Sequence, residues 1–415
     1  MLAQGDLEGM RVVLDWVASM IPLLSARTEL LLPGETGIFA TETVTSFGLY
    51  QDTEYGCDHA SNRAPGYPAW LEGPGSEGGW VRYDIGGNGF AEAGLMALDY
   101  YSTTLDPVLG AKYVPIATRY VDFYASHYTN RTADGRLMIW PSQVLESWWC
   151  EWPGPNPDPT RCCQNDLPNV AAVNSLVRGL LALPAASGLL TPAQRAAYAA
   201  LQQILPELPL DTDGTYNVAQ VVSADAGHNS EGPWLFASHP YRLMTVGTAT
   251  ASGANLSASQ ATFRKQTWFA SNNGWTYGAI DAAFLGFSAQ AYAMALDRAR
   301  QPPPAGYRFP AFAQHYQDYL PSADHFSVMN TAVNSMLMQQ GEDAAATIVL
   351  LPAWPCDVDV SFRLLGARNT SVELVWANAT LVSLVVEPPE RAAAVKIAPC
   401  GSAESRERFD ITHPL

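Results

Sequence analysis

The chain has 415 residues and a formal net charge of −17 at pH 7, from 40 acidic and 23 basic side chains. This composition argues against a nucleic acid partner and against binding to an anionic membrane surface, because both require clustered Lys and Arg. Aromatic residues make up 11% of the chain, including 12 Trp and 18 Tyr, and such rings fill cores but also stack on sugars.

The first part of the chain is predicted to consist of helical hairpins. Apolar residues recur at helical spacing from residue 8 to residue 32, with Met10, Leu14 and Val17 among them. A second helix is predicted to begin near Asn88, and a third to open at Asp106-Pro107, because proline favours the first helical position. Further helices are predicted over 167–187, 192–205, 275–299, 309–319 and 325–340.

Two long segments between these helices show little periodicity. Residues 33–85 are rich in Gly, Pro and acidic groups, and residues 129–165 hold a cluster of Trp, Pro and Cys. Long loop-like segments inside a compact domain usually carry function. Helix pairs joined by such loops predict a toroid of helical hairpins, in which the loops at one end form the site.

The pattern changes to that of a β domain after about residue 342. The run Val358–Leu364 alternates with period two, and Val372–Trp376 and Leu381–Val386 are β-like. We therefore predict a mainly α fold, with a helical domain over 1–342 and a small β domain with an irregular tail over 343–415.

The cysteines and glycosylation motifs favour an extracellular or secretory location. No two of the six cysteines have CxxC spacing, so a zinc site is not expected, but Cys150 and Cys162 bracket a loop that a disulfide could close. Residues 1–10 lack the apolar segment of a signal peptide, so the chain is either intracellular or lacks its true beginning, and we expect the second. Glycosylation triplets begin at Asn130, Asn255, Asn369 and Asn378.

Two carboxyl groups are the strongest candidates for chemistry. Glycoside hydrolysis commonly uses one carboxyl group to protonate the leaving oxygen and a second to activate water or attack the sugar. Glu146 lies in 139-IWPSQVLESWW-149, whose apolar side chains would raise its pKa as a general acid requires, although an ordinary loop carboxylate fits this context too. Asp324 precedes a predicted helix, where it could act as a general base or simply cap the helix.

Other polar and aromatic residues are candidates for sugar binding, although capping and packing explain many of them equally well. Asp166 and Asp225 lie in turns where helix capping is the usual role, and Asp281, inside an apolar helix, must be partnered or face a cavity. The candidate sugar-binding residues are Glu42, Trp148, Trp149, His228, Glu231, Trp234, His239, Trp275 and His325.

The order of several short motifs resembles that of the inverting α-L-fucosidases, glycoside hydrolase family ninety-five, and of related six-hairpin glycosidases. The matching segments are 37-GIFATETVTSFG-48, 134-DGRLMIWPSQVLE-146, Gly274-Trp275, 324-DHFSVMNTAVNSMLMQQ-340 and 350-LLPAWP-355. The resemblance implies an (α/α)6 helical toroid followed by a C-terminal β-sandwich. It assigns the general acid to Glu146 and the catalytic Asp to Asp324, and it implies no metal and no organic cofactor.

The chain departs from that family at three places. The family's early Asn-x-Asn motif, which positions water, and its N-terminal β domain would precede Met1, so we expect an N-terminally truncated chain. His-Phe follows Asp324 where the family has Gly-Asn-Phe, and the family's His-rich loop is replaced around Glu231 and Trp234. These departures leave the identity of the sugar open.

The leading hypothesis is a hydrolase that cleaves an α-linked sugar, fucose or a similar one, by an inverting acid/base mechanism. A second hypothesis is a non-catalytic carbohydrate-binding relative or an inactive fragment, which the absent Asn-x-Asn motif favours and the retained Glu146 and Asp324 oppose. A third, a polysaccharide lyase, is opposed by the shortage of Arg and Lys that would neutralise a uronate. The sequence does not indicate an oligomeric state.

Overall fold

The structure, a computed structural model, describes residues 1–40, 91–145, 147–148, 162–224, 232–266, 276–300, 323–343 and 345–399. About half of this part of the chain is helical, and the strands form several small sheets. Contacts divide the chain into an N-terminal unit, Asp6–Ala237, and a C-terminal unit that comprises Met1–Gly5 and Ser238–Leu415.

Within its described residues, the N-terminal unit contains helices and one antiparallel pair of short strands, in which Gln164 lies opposite Val221. Its helices are α1 (Leu7–Leu31), α2 (Ala91–Thr104), α3 (Pro107–His127), α4 (Leu167–Ala182) and α5 (Pro192–Ile204). Its strands are β1 (Gln164–Asp166) and β2 (Ala219–Val221), and short 3-10 turns lie at Ala185–Ser187 and Pro233–Leu235.

Side-chain caps begin two of these helices where the sequence predicts. The Asp106 carboxylate accepts hydrogen bonds from the backbone N–H groups of Val108 and Leu109, and a proline occupies the first position of α3. Thr191 and Gln194 form a reciprocal capping box at the start of α5. The helices predicted over 8–32 and 192–205, and the one predicted to open at Asp106-Pro107, are therefore confirmed.

Helix α1 packs against α2 and α3 through one buried stripe. The buried residues recur three or four positions apart, as in an amphipathic helix: Met10, Leu14, Val17, Met20 and Leu24. Asp15 ties α1 to α3, because its carboxylate accepts hydrogen bonds from Lys112 and Tyr113. By length and composition alone, Leu7–Leu30 could also cross a membrane.

The C-terminal unit combines helices with two three-stranded sheets among the residues that the structure describes. Its helices are α6 (Val246–Ser252), α7 (Ser257–Lys265), α8 (Gly278–Phe284), α9 (Ser288–Arg300) and α10 (Ala323–Leu337). Its strands are β3 (Met338–Gln340), β4 (Ile348–Leu350), β5 (Val360–Gly366), β6 (Thr370–Ala377), β7 (Thr380–Glu387) and β8 (Val395–Ile397).

The prediction of a single helix over 275–299 is wrong, because the described part of that segment holds two helices. Helix α8 ends at Phe284 and α9 begins at Ser288, with Gly286 between them at a φ of 84°. A positive φ interrupts a helix, and glycine adopts it at little cost. The apolar pattern continues across the break because α8 and α9 both pack against α10.

The last residues of the helix predicted over 325–340 form strand β3 instead. Strand β3 pairs antiparallel with β4, and β4 pairs parallel with β8. This sheet joins residues from both sides of the domain boundary proposed near residue 342. The division into 1–342 and 343–415 stays a prediction.

Strands β5, β6 and β7 form an antiparallel meander in the region where period-two alternation predicts strands. One face of the meander belongs to a buried cluster that also includes residues of α10 and β4: Leu337, Ile348, Leu350, Leu364, Val372, Leu374 and Trp376. On the other face, Arg363 and Glu373 are exposed and lie opposite each other. The β-sandwich that the resemblance implies stays a prediction.

Candidate functional site

The structure describes three of the predicted site residues in full: Trp148, Trp234 and His239. Asp324 and His325 lie in the first turn of α10, and their side chains are outside the described part of the chain. The other candidates lie outside the described residues altogether: Glu42, Glu146, Trp149, His228, Glu231 and Trp275. Their assigned roles stay predictions, as does the separation of Glu146 and Asp324.

Two of the predicted sugar-binding residues meet in the N-terminal unit. The rings of Trp148 and Trp234 pack edge to face, with centroids 5.5 Å apart and an interplanar angle of 87°. Both residues keep part of their surface exposed. An aromatic pair of this kind presents an apolar face to which a pyranose ring can bind.

Each tryptophan is positioned by a different element. Trp148 exchanges backbone hydrogen bonds with Val144, since each residue's N–H donates to the other's carbonyl at 3.1 Å. Trp234 lies in the 3-10 turn Pro233–Leu235, which packs against helix α4. The Trp148 ring is thus held by a hydrogen-bonded turn, and the Trp234 ring by a 3-10 turn that packs on a helix. The contact between the two rings therefore depends on the fold of the unit.

A buried polar network anchors the segment that leads to Trp148. Ser142 pairs with Cys163, because the Ser142 N–H and hydroxyl both donate to the Cys163 carbonyl and the Cys163 N–H donates back. The Asn165 side chain accepts from the Ile139 N–H at 2.7 Å and donates to the Gln220 side chain at 2.7 Å. Asn165 thus joins this segment to strand β2.

Asp166 lies fully buried in the same network and caps helix α4. Its carboxylate accepts the backbone N–H of Asn169 at 2.9 Å and the Asn169 side-chain amide at 2.9 and 3.0 Å. The Tyr124 hydroxyl, from α3, donates to Oδ1 of the Asn169 side chain at 2.6 Å. The capping role that the sequence indicates for Asp166 is therefore confirmed.

Burial and hydrogen bonding act in opposite directions on Asp166. Loss of solvent raises the pKa of its carboxyl group to about 6, although the N–H groups of Asn169 and the Ser142 hydroxyl favour the charged form. Sequence reasoning did not identify Asn165, Asn169 or Tyr124 as members of a site. The signal was the polar run Gln164–Asp166 directly before a mostly apolar helix, with Asn169 in the first turn of that helix.

The third described candidate, His239, lies in the C-terminal unit. Its ring packs against Tyr277, with centroids 4.8 Å apart, and against Phe284, with centroids 6.1 Å apart. Burial of the ring, and secondly the positive charge of Arg242, hold the pKa of His239 well below its ordinary value. The imidazole is therefore neutral at pH 7 and offers one donor and one acceptor.

Asp281 lies on α8, between the two residues that contact His239. It is 3% exposed, and its Oδ1 has no hydrogen-bond partner. Burial raises the pKa of Asp281 well above its ordinary value, because loss of solvent disfavours the charged form of the carboxyl group. The sequence leaves two alternatives for Asp281, a partner within the protein or a position facing a cavity. The described residues supply no partner for Oδ1.

The described cysteines are of two kinds. Cys162 and Cys356 each take part in a disulfide, whereas Cys163 is a buried free thiol whose pKa burial raises to about 12. Cys150 lies outside the described residues, so its pairing with Cys162 stays a prediction. Among the described residues, no group of three His, Cys, Asp or Glu side chains is arranged to hold a metal ion.

No family model and no curated protein matches the chain. Among solved structures, it is similar to a protein described as a kojibiose phosphorylase from the human microbiome, with 9% identity over 70% of this chain and 40% of that one, at a TM-score of 0.43. It is also similar to a GH78 family rhamnosidase of Bacillus sp. GL1, with 15% identity over 73% of this chain and 32% of that one, at a TM-score of 0.40. Both names denote carbohydrate-active enzymes, and this chain spans less than half the length of either. Likeness at this level does not establish a shared activity.

Proposed function

We propose that this chain is part of a glycoside hydrolase that releases an α-linked sugar, fucose or a similar one, from a glycan. The observation that carries the proposal is the edge-to-face pair of Trp148 and Trp234, because Trp148 follows two residues after Glu146. A sugar bound against these rings would lie beside the loop that bears the proposed acid. The proposal includes the six-hairpin toroid and the C-terminal β-sandwich that the resemblance implies.

The proposed mechanism is a single displacement with inversion. Glu146 would protonate the leaving oxygen, and Asp324 would act as the base that activates water. The immediate neighbours of Glu146, Leu145 and Ser147, are buried, and no Lys or Arg occurs over 137–149. Burial without a nearby cation raises the pKa of a carboxyl group, which keeps a general acid protonated near neutral pH.

A non-catalytic carbohydrate-binding protein is the second candidate. The aromatic pair alone supports it, because stacking on a sugar needs no carboxyl group. The two candidates differ in whether the chain releases free sugar from an oligosaccharide.

The test is a proton NMR time course of the full chain with a mixture of α-fucosylated and other α-linked oligosaccharides. The expected result is release of free sugar first as the inverted anomer, with loss of release in Glu146→Gln and in Asp324→Asn. The matched control is Glu207→Gln, since the Glu207 carboxylate lies at the surface and pairs only with Arg136 among the ion pairs described. It should leave the rate unchanged.

Other results would decide against parts of the proposal. Sugar binding without release would support the carbohydrate-binding protein, and release as the retained anomer would exclude single displacement. Unchanged release of sugar in Glu146→Gln would show that Glu146 is not the general acid. Unchanged affinity in Trp148→Ala would remove the aromatic pair from the site.

We also propose that the protein passes through the secretory pathway. Cys162 and Cys356 are in disulfides, which persist in oxidising compartments. The asparagines of the four glycosylation triplets are exposed: Asn130, Asn255, Asn369 and Asn378. Secretion from a eukaryotic host, followed by peptide N-glycosidase digestion, should lower the apparent mass, and an unchanged mass would count against this location.

A further inference from the structure

We propose that Asp281 binds a hydroxyl group of an uncharged sugar in the C-terminal unit, with His239 as a second polar contact. This inference rests on the proposed function and deepens it, because it specifies a neutral sugar and adds a binding residue.

The first reason is the unpaired carboxyl oxygen of Asp281. Asp281 is only 3% exposed, and its Oδ1 is buried without a hydrogen-bond partner. Buried polar groups in folded proteins are almost always paired, because an unpaired one loses its hydration without compensation. A ligand that supplies the missing hydrogen bond explains why such a group is retained.

The second reason is the position of His239 over the same face of α8. Its ring contacts Tyr277 and Phe284, which lie four residues before and three residues after Asp281. Residues at this spacing share one face of a helix. The carboxyl group and the imidazole therefore lie on one patch, bordered by a phenol ring and a phenyl ring.

The patch borders apolar residues on the side of α10, whereas the positive charge of Arg242 acts on His239. Helix α8 packs against α10, and the buried hydrophobic cluster at this contact comprises Ala279, Ile280, Phe284, Val328 and Ala332. Asp324 lies in the same helix α10, four residues before Val328. The proposed binding group is therefore on the helix that packs against the one bearing the proposed base.

Burial favours the neutral form of both side chains, and this bears on the class of ligand. A neutral carboxyl group and a neutral imidazole each offer a donor and an acceptor, and so does a sugar hydroxyl. A uronate or a sulfated sugar would instead bring a negative charge beside the Asp281 carboxyl group, where burial already disfavours a negative charge. Aromatic borders with a few neutral polar groups are typical of sites for uncharged ligands.

The test uses two substitutions of the same shape in the full chain. Asp281→Leu removes both polar atoms and nearly preserves the branched outline, and Asp281→Asn keeps a donor and an acceptor. The probes are methyl α-L-fucoside and D-glucuronate, titrated by NMR, with thermal unfolding of each variant measured in parallel. Asp357→Leu, at an exposed position of the same unit, is the matched control.

The expected result has three parts. Asp281→Leu should weaken binding of methyl α-L-fucoside at least tenfold while the unfolding temperature stays equal or rises, because an unpaired polar group is removed from the interior. Asp281→Asn should weaken binding less than threefold, and Asp357→Leu should change neither quantity. D-Glucuronate should bind at least tenfold more weakly than methyl α-L-fucoside.

Each contrary result overturns the inference. Undiminished binding in Asp281→Leu would mean that the ligand does not use the carboxyl group, and a lower unfolding temperature would mean that its role is structural. Preferred binding of D-glucuronate, or no binding of either probe, would exclude a neutral-sugar site. Sugar binding that depends on Asp281, without any release of sugar, would support this inference and reject the hydrolase. Release of sugar at an unchanged rate in Asp281→Leu would support the hydrolase and reject this inference.

Discussion

At the scale of single residues, burial and hydrogen bonding oppose each other at Asp166. The carboxylate accepts three hydrogen bonds from Asn169, yet its complete burial raises its pKa to about 6. Removal of such a group leaves buried N–H donors without partners, and this costs more than the loss of a solvent-exposed cap. The Asp106 carboxylate caps α3 in the same way but from a more exposed position, and it therefore serves as a reference.

We expect Asp166→Ala to lower the free energy of unfolding by about 2–4 kcal/mol, from the lost cap and the unpaired Asn169 donors together. Asp106→Ala, which removes a cap that water can replace, should cost about 1 kcal/mol. Urea denaturation followed by tryptophan fluorescence measures both. Equal losses in the two variants would mean that the buried network adds nothing to the cap.

The raised pKa of Asp166 also predicts a dependence of stability on pH. Because the folded-state value of about 6 lies above the ordinary value of 3.8, the protonated carboxyl group is favoured by folding. Its contribution is complete below about pH 4 and is lost as the pH rises through about 6, amounting to about 3 kcal/mol. The stability of the wild type relative to Asp166→Asn should fall over this interval, and a rise would show a lowered pKa instead.

At the scale of elements, the break between α8 and α9 depends on one backbone conformation. Gly286 adopts a φ of 84°, and a Cβ at this position would lie 3.2 Å from a methyl group of Val246. Gly253, which ends α6, has a similar φ of 77° but nothing within 4 Å of such a Cβ. The two glycines separate the cost of the conformation from the cost of the contact.

Gly253→Ala should lower the free energy of unfolding by about 1 kcal/mol, the usual penalty for a side chain in the left-handed region. Gly286→Ala should cost more, about 2 kcal/mol or above, because the tight contact with Val246 is added to that penalty. Thermal and urea unfolding of the two variants test this order. If Gly286→Ala were the milder change, the contact with Val246 would add nothing to the cost of the conformation.

At the scale of the whole molecule, the described cysteines differ in whether they form disulfides. Cys162 and Cys356 are in disulfides, while Cys163 is buried and makes a hydrogen bond through its sulfur with the Ser223 N–H. A thiol is reactive as the thiolate, and burial suppresses that form at Cys163. Adjacent cysteines in the sequence therefore have opposite chemistry.

We expect iodoacetamide at pH 8 to leave Cys162, Cys163 and Cys356 unmodified in the native protein. After unfolding without a reductant, Cys163 should be alkylated, while the two disulfide-bonded residues should react only once a reductant is added. Peptide mass spectrometry distinguishes the three positions. Rapid alkylation of native Cys163 would contradict its burial and raised pKa.

Much of the fold could be predicted because the relevant signals are local. The boundaries of α3 and α5 follow from Asp106, Thr191 and the prolines beside them, which act on backbone groups a few residues away. The strands β5 to β7 follow from alternation with period two. The break at Gly286 could not be predicted in this way, because α8 and α9 both present apolar residues to α10 and the pattern continues across it.

By itself, the sequence determined several of the helices, their caps and the strands of the β region, and it indicated which rings could bind a sugar. Only the tertiary structure decided that Trp148 meets Trp234, that Asn165 and Asn169 form one network with Asp166, and that Oδ1 of Asp281 has no hydrogen-bond partner. The physical reason is range. Caps and periodicity act between residues that are close in the chain, whereas contact, burial and the pKa of a carboxyl group depend on residues that only folding brings together.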